Sequence, residues 1–559
     1  MVVATKHQTP TFPSDWDEPF ESGDAFHFDP MHSPHPVSPL TQTTVSHASR
    51  VGWTEAAREQ QTPIRDSEVR FRNHYQFGRL VLDQPATEDE ARQMAETAEA
   101  HAKMEIGRLL ERWHGEHLPR LTVLHDRLRS LDVAGASGEE LASLLDEAQT
   151  IHEEEWTIHF RIALPMLLAM QLYDELYADL FAGTEADAHA LLVGVASESV
   201  KAGFGLSDLA REARELGLAE LIRETPTDAL LPALEQSADG RAFLARLRNY
   251  LADYGLRQDL FELATPTWQE DPAFALANIR NYLAAGRDAR AEHAAMAQTA
   301  ADALTDARTR LAMYPEAVRG QFEAMLQFAR NAAFLQEEHN FYIDQQGIAL
   351  LRLFYLRVSE RLTRDGWLVA LDDIFMLDRD EVRELVADAP TDEAIPRVRA
   401  LVQERRAELA IAQTLRPPPF IGPSPDGPPP TGNPLERAII RFFGGPPQVS
   451  ETPGQLKGTA GSKGIATGPA RVARTLEEAT AVLPGEVLVA VTTMPPWTPL
   501  FGIAAAIVTE TGGPLSHCAI VAREYGIPAV VGVHGATKAI VSGQHVTVDG
   551  GRGIVMIEG

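Results

Sequence analysis

A histidine that follows a glycine-rich turn and opens a helix is placed to carry phosphate, and His517 stands in that position. The stretch TETGGPLSHCAIVAREYG reads as the end of a buried strand, a Gly-Gly-Pro turn and a short helix. Ser516 has the side chain of an N-cap and Gly526 that of a helix terminator. The first-turn amides of such a helix lack partners and its dipole is positive there. A phosphoryl group on the imidazole would therefore meet donors from the helix start and from Gly512 and Gly513. Neutral imidazole is a nucleophile near pH 7, and the positive helix end favours the unprotonated ring. Thr511, Gly512, Gly513 and Ser516 are thus the candidate phosphate-binding residues. Arg523 joins them for a docked state, although nearly two turns separate it from His517.

A second set of candidates lies on the segment EEHNFYIDQQGIALLR. Read as one α-helix, it puts Glu338, Tyr342, Gln345 and Arg352 near one stripe, with His339 at its border. Glu337, Phe341 and Asp344 fall on the adjacent stripe. Charged groups among apolar neighbours are costly unless paired, and the mix suits a polar spot in an apolar pocket. An acceptor hydroxyl needs a proton acceptor within reach, for which His339 and then Asp344 are the candidates, with Glu338, Tyr342 and Arg352 as substrate-binding residues. An amphipathic helix with internal Glu–Arg pairing explains the same residues. A further cluster, His152, Glu155 and His159, shares one helical face. His152 and His159 stand about 10 Å apart along a straight helix, too far for one ion. No metal site is expected, and Pro165 is expected to kink that helix.

The elements that must position these residues fall into four stretches. Residues 1–53 are rich in Pro, His, Ser and Thr, and five of the 18 histidines, His7, His27, His32, His35 and His47, lie there. They read as an extended arm packed on a body rather than a metal site. Residues 54–412 carry apolar residues at helical spacing with few breakers and no strand alternation, which predicts a large helical domain. Residues 413–455 form a Pro/Gly-rich linker, with eight prolines in RPPPFIGPSPDGPPP. That fifteen-residue run could span roughly 45 Å as a semi-rigid spacer. Residues 456–559 alternate short β-branched runs with Gly turns around the helix at His517, which predicts a compact α/β domain. The fold class is multidomain α and α/β. Net charge is −29, so nucleic acid is a poor partner. No apolar run is long enough to span a bilayer, and Cys518 is the one cysteine. The cytoplasm is the simplest compartment.

The stretch T-x-T-G-G-x-x-S-H-x-A-I-V-A-R-E-x-G-I-P-A-V-V-G resembles the phosphohistidine signature of the PEP-utilising enzymes, which include phosphoenolpyruvate synthase, pyruvate phosphate dikinase, rifampin phosphotransferase and phenylphosphate synthase. GTAGSKGIATGPARV and VTVDGGRGIVMI resemble the opening and close of that family's swivelling β/β/α domain. The first of these, GTAGSKG, lacks the spacing of a P-loop. The resemblance implies that His517 is phosphorylated and that its domain swings between donor and acceptor sites. Residues Phe334–Leu377 and PVSPL resemble, more loosely, the antibiotic-binding helical part of rifampin phosphotransferase. Nothing in the sequence resembles an ATP-grasp module or a phosphoenolpyruvate-binding barrel. A separate ATP-grasp subunit, using Mg2+ or Mn2+ with ATP, is therefore expected as partner in a hetero-oligomer. By the same likeness, the chain is expected to phosphorylate a small hydroxylated acceptor, preferably a phenol in aromatic degradation. The alternatives are a component that inactivates a bulky antibiotic and a non-enzymatic phosphorelay protein.

Overall fold

The computed structural model describes residues 12–18, 20–83, 85, 87–258, 261–423, 434–442 and 448–558. The first strand, β1 (Phe26–Phe28), precedes helix α1 (Val45–Glu59) and a hairpin of β2 (Ile64–Arg72) and β3 (Tyr75–Leu82). The body is organised on one long helix, α2 (Gly138–Phe181), opened by a capping box between Ser137 and Glu140. Then come α3 (Glu198–Glu215), α4 (Ala273–Ala285), α5 (Glu316–His339) and α6 (Ile348–Arg364), with shorter helices between. A π-helical segment, Asn340–Gly347, joins α5 to α6. No helix among the described residues is long and apolar enough to cross a membrane.

Helix α1 lies across α2 at Gly52, where an added Cβ would stand 2.5 Å from the carbonyl carbon of Trp156. Only a residue without a side chain permits that approach. Gly52→Val is expected to force the helices apart and to cost about 1–3 kcal/mol, as overpacking does. Urea denaturation reads this directly; an unchanged midpoint would mean that the two helices do not meet here.

The structure departs from the sequence reading in two places. The arm expected at 1–53 is not simply extended: β1 enters a sheet and α1 begins at Val45, while residues 1–11, with His7, lie outside the described residues. Strands interrupt the region expected to be helical. β2 and β3, of nine and eight residues, form a hairpin in a four-stranded sheet of order β2-β3-β1-β4, with β4 at Phe420–Ile421. Its turn residues Asn73 and His74 both take positive φ, 49° and 63°, the backbone of a two-residue hairpin turn. Helix α2 continues through Pro165. Of the expected linker, residues 424–433 and 443–447 lie outside the described residues; between them α7 (Pro434–Phe442) packs on α2.

The C-terminal domain holds an eight-stranded sheet of order β5-β12-β11-β7-β8-β9-β10-β6. Its strands are β5 (Gln455–Lys457), β6 (Thr459–Ser462), β7 (Ile465–Ala473), β8 (Val487–Ala490), β9 (Ala506–Thr509), β10 (Ala529–Val531), β11 (His545–Asp549) and β12 (Ile554–Ile557). Strands β7, β8, β9 and β10 pair in parallel, and the crossover from β9 to β10 carries α8 (His517–Glu524). One face of this domain docks on the body. Leu500, Phe501, Ile503 and Tyr525 share an apolar core with Phe204, Leu206, Ile279 and Tyr282 of α3 and α4.

Candidate active site at His517

Strand β9 delivers the loop that carries His517. Gly512 turns the loop at φ +94°, where an added Cβ would stand 2.7 Å from the Ser516 Cβ. Ser516 caps α8: its Oγ accepts from Ala519 N at 3.5 Å and donates to the Gly513 carbonyl at 2.8 Å. His517 therefore occupies the first turn with its ring held between two elements. Its Nδ1 lies 2.9 Å from Glu337 Oε2 on α5, and its Nε2 lies 3.2 Å from Thr498 Oγ1. His517 and Glu337 are 7% and 1% exposed, and the contact spans 180 residues of sequence, so docking on the body contributes to burying the histidine. A carboxylate against Nδ1 keeps the proton there and leaves the Nε2 lone pair as the nucleophile.

His517 faces a cavity of about 100 Å3. Trp53, Phe160, Leu164, Leu167, Phe261 and Phe442 supply apolar wall, while Thr511, Gly512, Ser516 and His517 close one side. His159, His339 and Asp344 also line it, and donor atoms of these three lie within 4.8 Å of one another. His159 Nδ1 and Asp344 Oδ1 are 2.9 Å apart, but neither is aligned for a hydrogen bond and both are buried. His339 Nδ1 donates to the Leu335 carbonyl at 2.6 Å, which leaves Nε2 unprotonated. Burial, with a smaller contribution from His159, lowers its pKa to about 4, so the ring is neutral at neutral pH.

The π-helical segment decides which expected residues reach this cavity. Its i→i+5 bonding adds a residue to the turn and rotates everything that follows relative to an α-helix. His339 and Asp344, five apart, are thereby brought to one side. Arg352 is instead carried into the core, where it bonds Glu270 at 2.8 Å and the Leu263 carbonyl at 2.5 Å. Glu338 accepts from the Glu198 amide at 2.9 Å, and burial raises its pKa to about 7. Tyr342 packs on Phe341 and Trp113. None of Glu338, Tyr342 and Arg352 lines this cavity, in contrast to the expectation that they lie beside the acceptor base candidates.

Among the expected phosphate-binding residues, Thr511, Gly512 and Ser516 line the cavity. Gly513 does not; it packs beneath the Arg441 carbonyl of α7. Nor does Arg523 line the cavity: its guanidinium donates to the Gly461 and Pro514 carbonyls at 2.8 and 2.9 Å and pins the loop from behind. The cluster His152, Glu155 and His159 divides. Glu155 stands 2.9 Å from His152 and 3.3 Å from His125 in the core, while His159 turns to Asp344. The sequence reading assigned no part to Trp53, Thr498 or Phe442, and placed Glu337 only on a neighbouring stripe. The buried Glu337 carried one available signal, a carboxylate beside Leu335 on an apolar helix.

Residues 482–553 match the family described as PEP-utilising enzyme, mobile domain, and residues 159–337 match that described as rifampicin phosphotransferase fourth domain. Over these residues the chain is thus similar to the mobile domain of the PEP-utilising enzymes and to a helical segment of the rifampicin phosphotransferases. Three relatives show how widely the likeness extends. The chain is 34% identical to chondramide synthase cmdD of Chondromyces crocatus over 98% of its own length and 14% of that protein. It is 29% identical to the uncharacterized phosphotransferase YvkC of Bacillus subtilis, over 93% of the chain and 60% of YvkC. It is also 29% identical to a rifampicin phosphotransferase of Streptomyces sviceus, over 76% and 48% of the two lengths. The chain therefore matches less than two thirds of each of these relatives.

Proposed function

We propose that this chain is the phosphohistidine-bearing, acceptor-binding part of a phosphotransferase, and that it passes phosphate from His517 Nε2 to the hydroxyl of a small, ring-sized acceptor. The observation that carries the reading is the docked His517, clamped by Glu337 and facing a cavity with one polar wall. In the transfer the acceptor hydroxyl releases its proton to water, its oxygen bonds to phosphorus, the P–Nε2 bond breaks, and the electron pair of that bond returns to Nε2. Nδ1 keeps its proton on Glu337 throughout. His339, Asp344 and His159 form the wall that receives the acceptor oxygen.

A phenol is the preferred acceptor. An apolar cavity of about 150 Å3 holds benzene, and the present one is of that order at about 100 Å3. Aromatic walls suit a ring, while a bulky antibiotic does not fit this docked state. The rifampicin phosphotransferase likeness nevertheless makes an antibiotic the second reading. A concave, largely aromatic cavity facing His517 speaks against a simple relay between proteins, which needs a flat docking face.

Loading of His517 belongs to a nucleotide-binding module outside the 559 residues, an ATP-grasp subunit by the family likeness, with Mg2+ or Mn2+ bound there beside ATP. The acceptor half of the reaction needs no donor. Labelled phenol should exchange into phenyl phosphate on this chain alone, through phospho-His517. Exchange with ring-sized phenols but not with rifampicin supports the phenol reading. Exchange with none of a phenol panel would reject it.

A further inference from the structure

We propose that His159, His339 and Asp344 form a divalent transition-metal site, of the kind Zn2+ takes, with open positions toward the acceptor. This rests on the cavity being the acceptor site and specifies how its polar wall holds the acceptor oxygen. Four observations converge. Two imidazoles and a carboxylate present donor atoms within 4.8 Å of one another, the ligand set of many catalytic zinc centres. His159 Nδ1 and Asp344 Oδ1 are buried without an aligned partner, an expensive condition that a cation relieves. The His339 Nδ1–H···O=C bond to Leu335 is the outer-shell contact that fixes a ligating histidine and points the other nitrogen inward. All three line one cavity with His517, so a bound ion keeps positions open to an acceptor.

The ligands come from α2, the end of α5 and the π-helical segment, elements already packed together. Metal–ligand bonds of about 2.0–2.2 Å set tetrahedral donor atoms about 3.4 Å apart, so closure asks for side-chain movement of about 1 Å. The ion would bind the acceptor oxygen and lower its pKa, so that its proton leaves to water at neutral pH. The metal-bound oxyanion then attacks phosphorus, the P–Nε2 bond breaks, and neutral His517 is released with its proton on Nδ1.

The test reads cation binding without turnover. Metal-stripped full chain is titrated with Zn2+ by calorimetry and with Co2+ by visible absorption. One ion per chain is expected, with the absorption of four- or five-coordinate Co2+. His159→Gln, His339→Gln and Asp344→Asn should each weaken binding by about a hundredfold or more, since even outer-shell losses cost ten- to a hundredfold. The double variant His27→Gln, His35→Gln should bind as wild type does, which separates this site from those two N-terminal histidines. The inference is overturned by no stoichiometric complex, or by affinity that survives Asp344→Asn and His159→Gln. Should a variant fail to fold, the wild-type Co2+ spectrum decides, and an octahedral, aquo-like spectrum counts against the site. His517→Ala ends transfer but should keep the ion, so failure here and failure of the transfer reading are told apart.

Discussion

His517→Asn is expected to abolish phenol–phenyl phosphate exchange, and Glu337→Gln to slow it by about a hundredfold, the usual contribution of a positioned proton-handling group. The two variants separate carrying phosphate from aiming the carrier. An asparagine at the carrier position has no ring nitrogen to phosphorylate, so no acid-labile label should accumulate on the chain from labelled phenyl phosphate. A glutamine in place of Glu337 can still accept from Nδ1–H but no longer stabilises positive charge on a phosphorylated ring. The defect should appear in kcat rather than KM, because Glu337 touches His517 and does not line the cavity. Each change leaves a buried group short of its partner and should cost about 1–3 kcal/mol, so exchange is read under conditions where both variants remain folded. Full exchange by Glu337→Gln would mean that the docked contact is not the reactive one.

The His517 loop was legible because its chemistry is local. A strand, a Gly-Gly turn, an N-cap serine and the histidine lie close together in sequence, and local backbone rules fix them. The helical character of the body was legible for a similar reason, since periodicity over long segments outweighs any single residue. The hairpin β2–β3 was missed although Val69, Phe71, Tyr75 and Phe77 alternate with polar residues. Its turn is Asn-His rather than Asn-Gly, so the customary turn signal was absent. On the acceptor side, His339 and Asp344 line the cavity while Glu338, Tyr342 and Arg352 do not. A straight α-helical wheel groups Glu338, Tyr342 and Arg352, but the π-helical segment shifts the phase between His339 and Ile348. No composition rule marks that shift. The partner of His517 was equally hidden, because Glu337 meets it only through docking across 180 residues.

The same π-helical segment gives the largest stability effect to expect. Glu155 is fully buried on α2, one turn before His159, between His125 and His152. It also backs Gly347, the last residue of the π-helical segment, where an added Cβ would stand 2.7 Å from its Oε2. Glu155→Ala leaves two buried imidazoles without their carboxylate and should cost about 3–5 kcal/mol, the cost of breaking a buried pair from one side. Burial alone would raise the Glu155 pKa, but the two histidines outweigh it and hold it low, at about 2, against 4.5 in an unfolded chain. A depressed carboxylate pKa contributes stability that is complete above about 4.5 and is lost as pH falls through 2. At about 1.4 kcal/mol per pKa unit, roughly 3 kcal/mol should disappear across that window. Urea denaturation at pH 5 and pH 3 should therefore show wild type losing more stability than Glu155→Gln, which has no proton to take up. Equal losses would place the acid sensitivity elsewhere. Because Glu155 braces both the turn that presents His159 and the segment that presents Asp344, its removal should also loosen the polar wall. Exchange activity should then fall at temperatures where the variant is still folded.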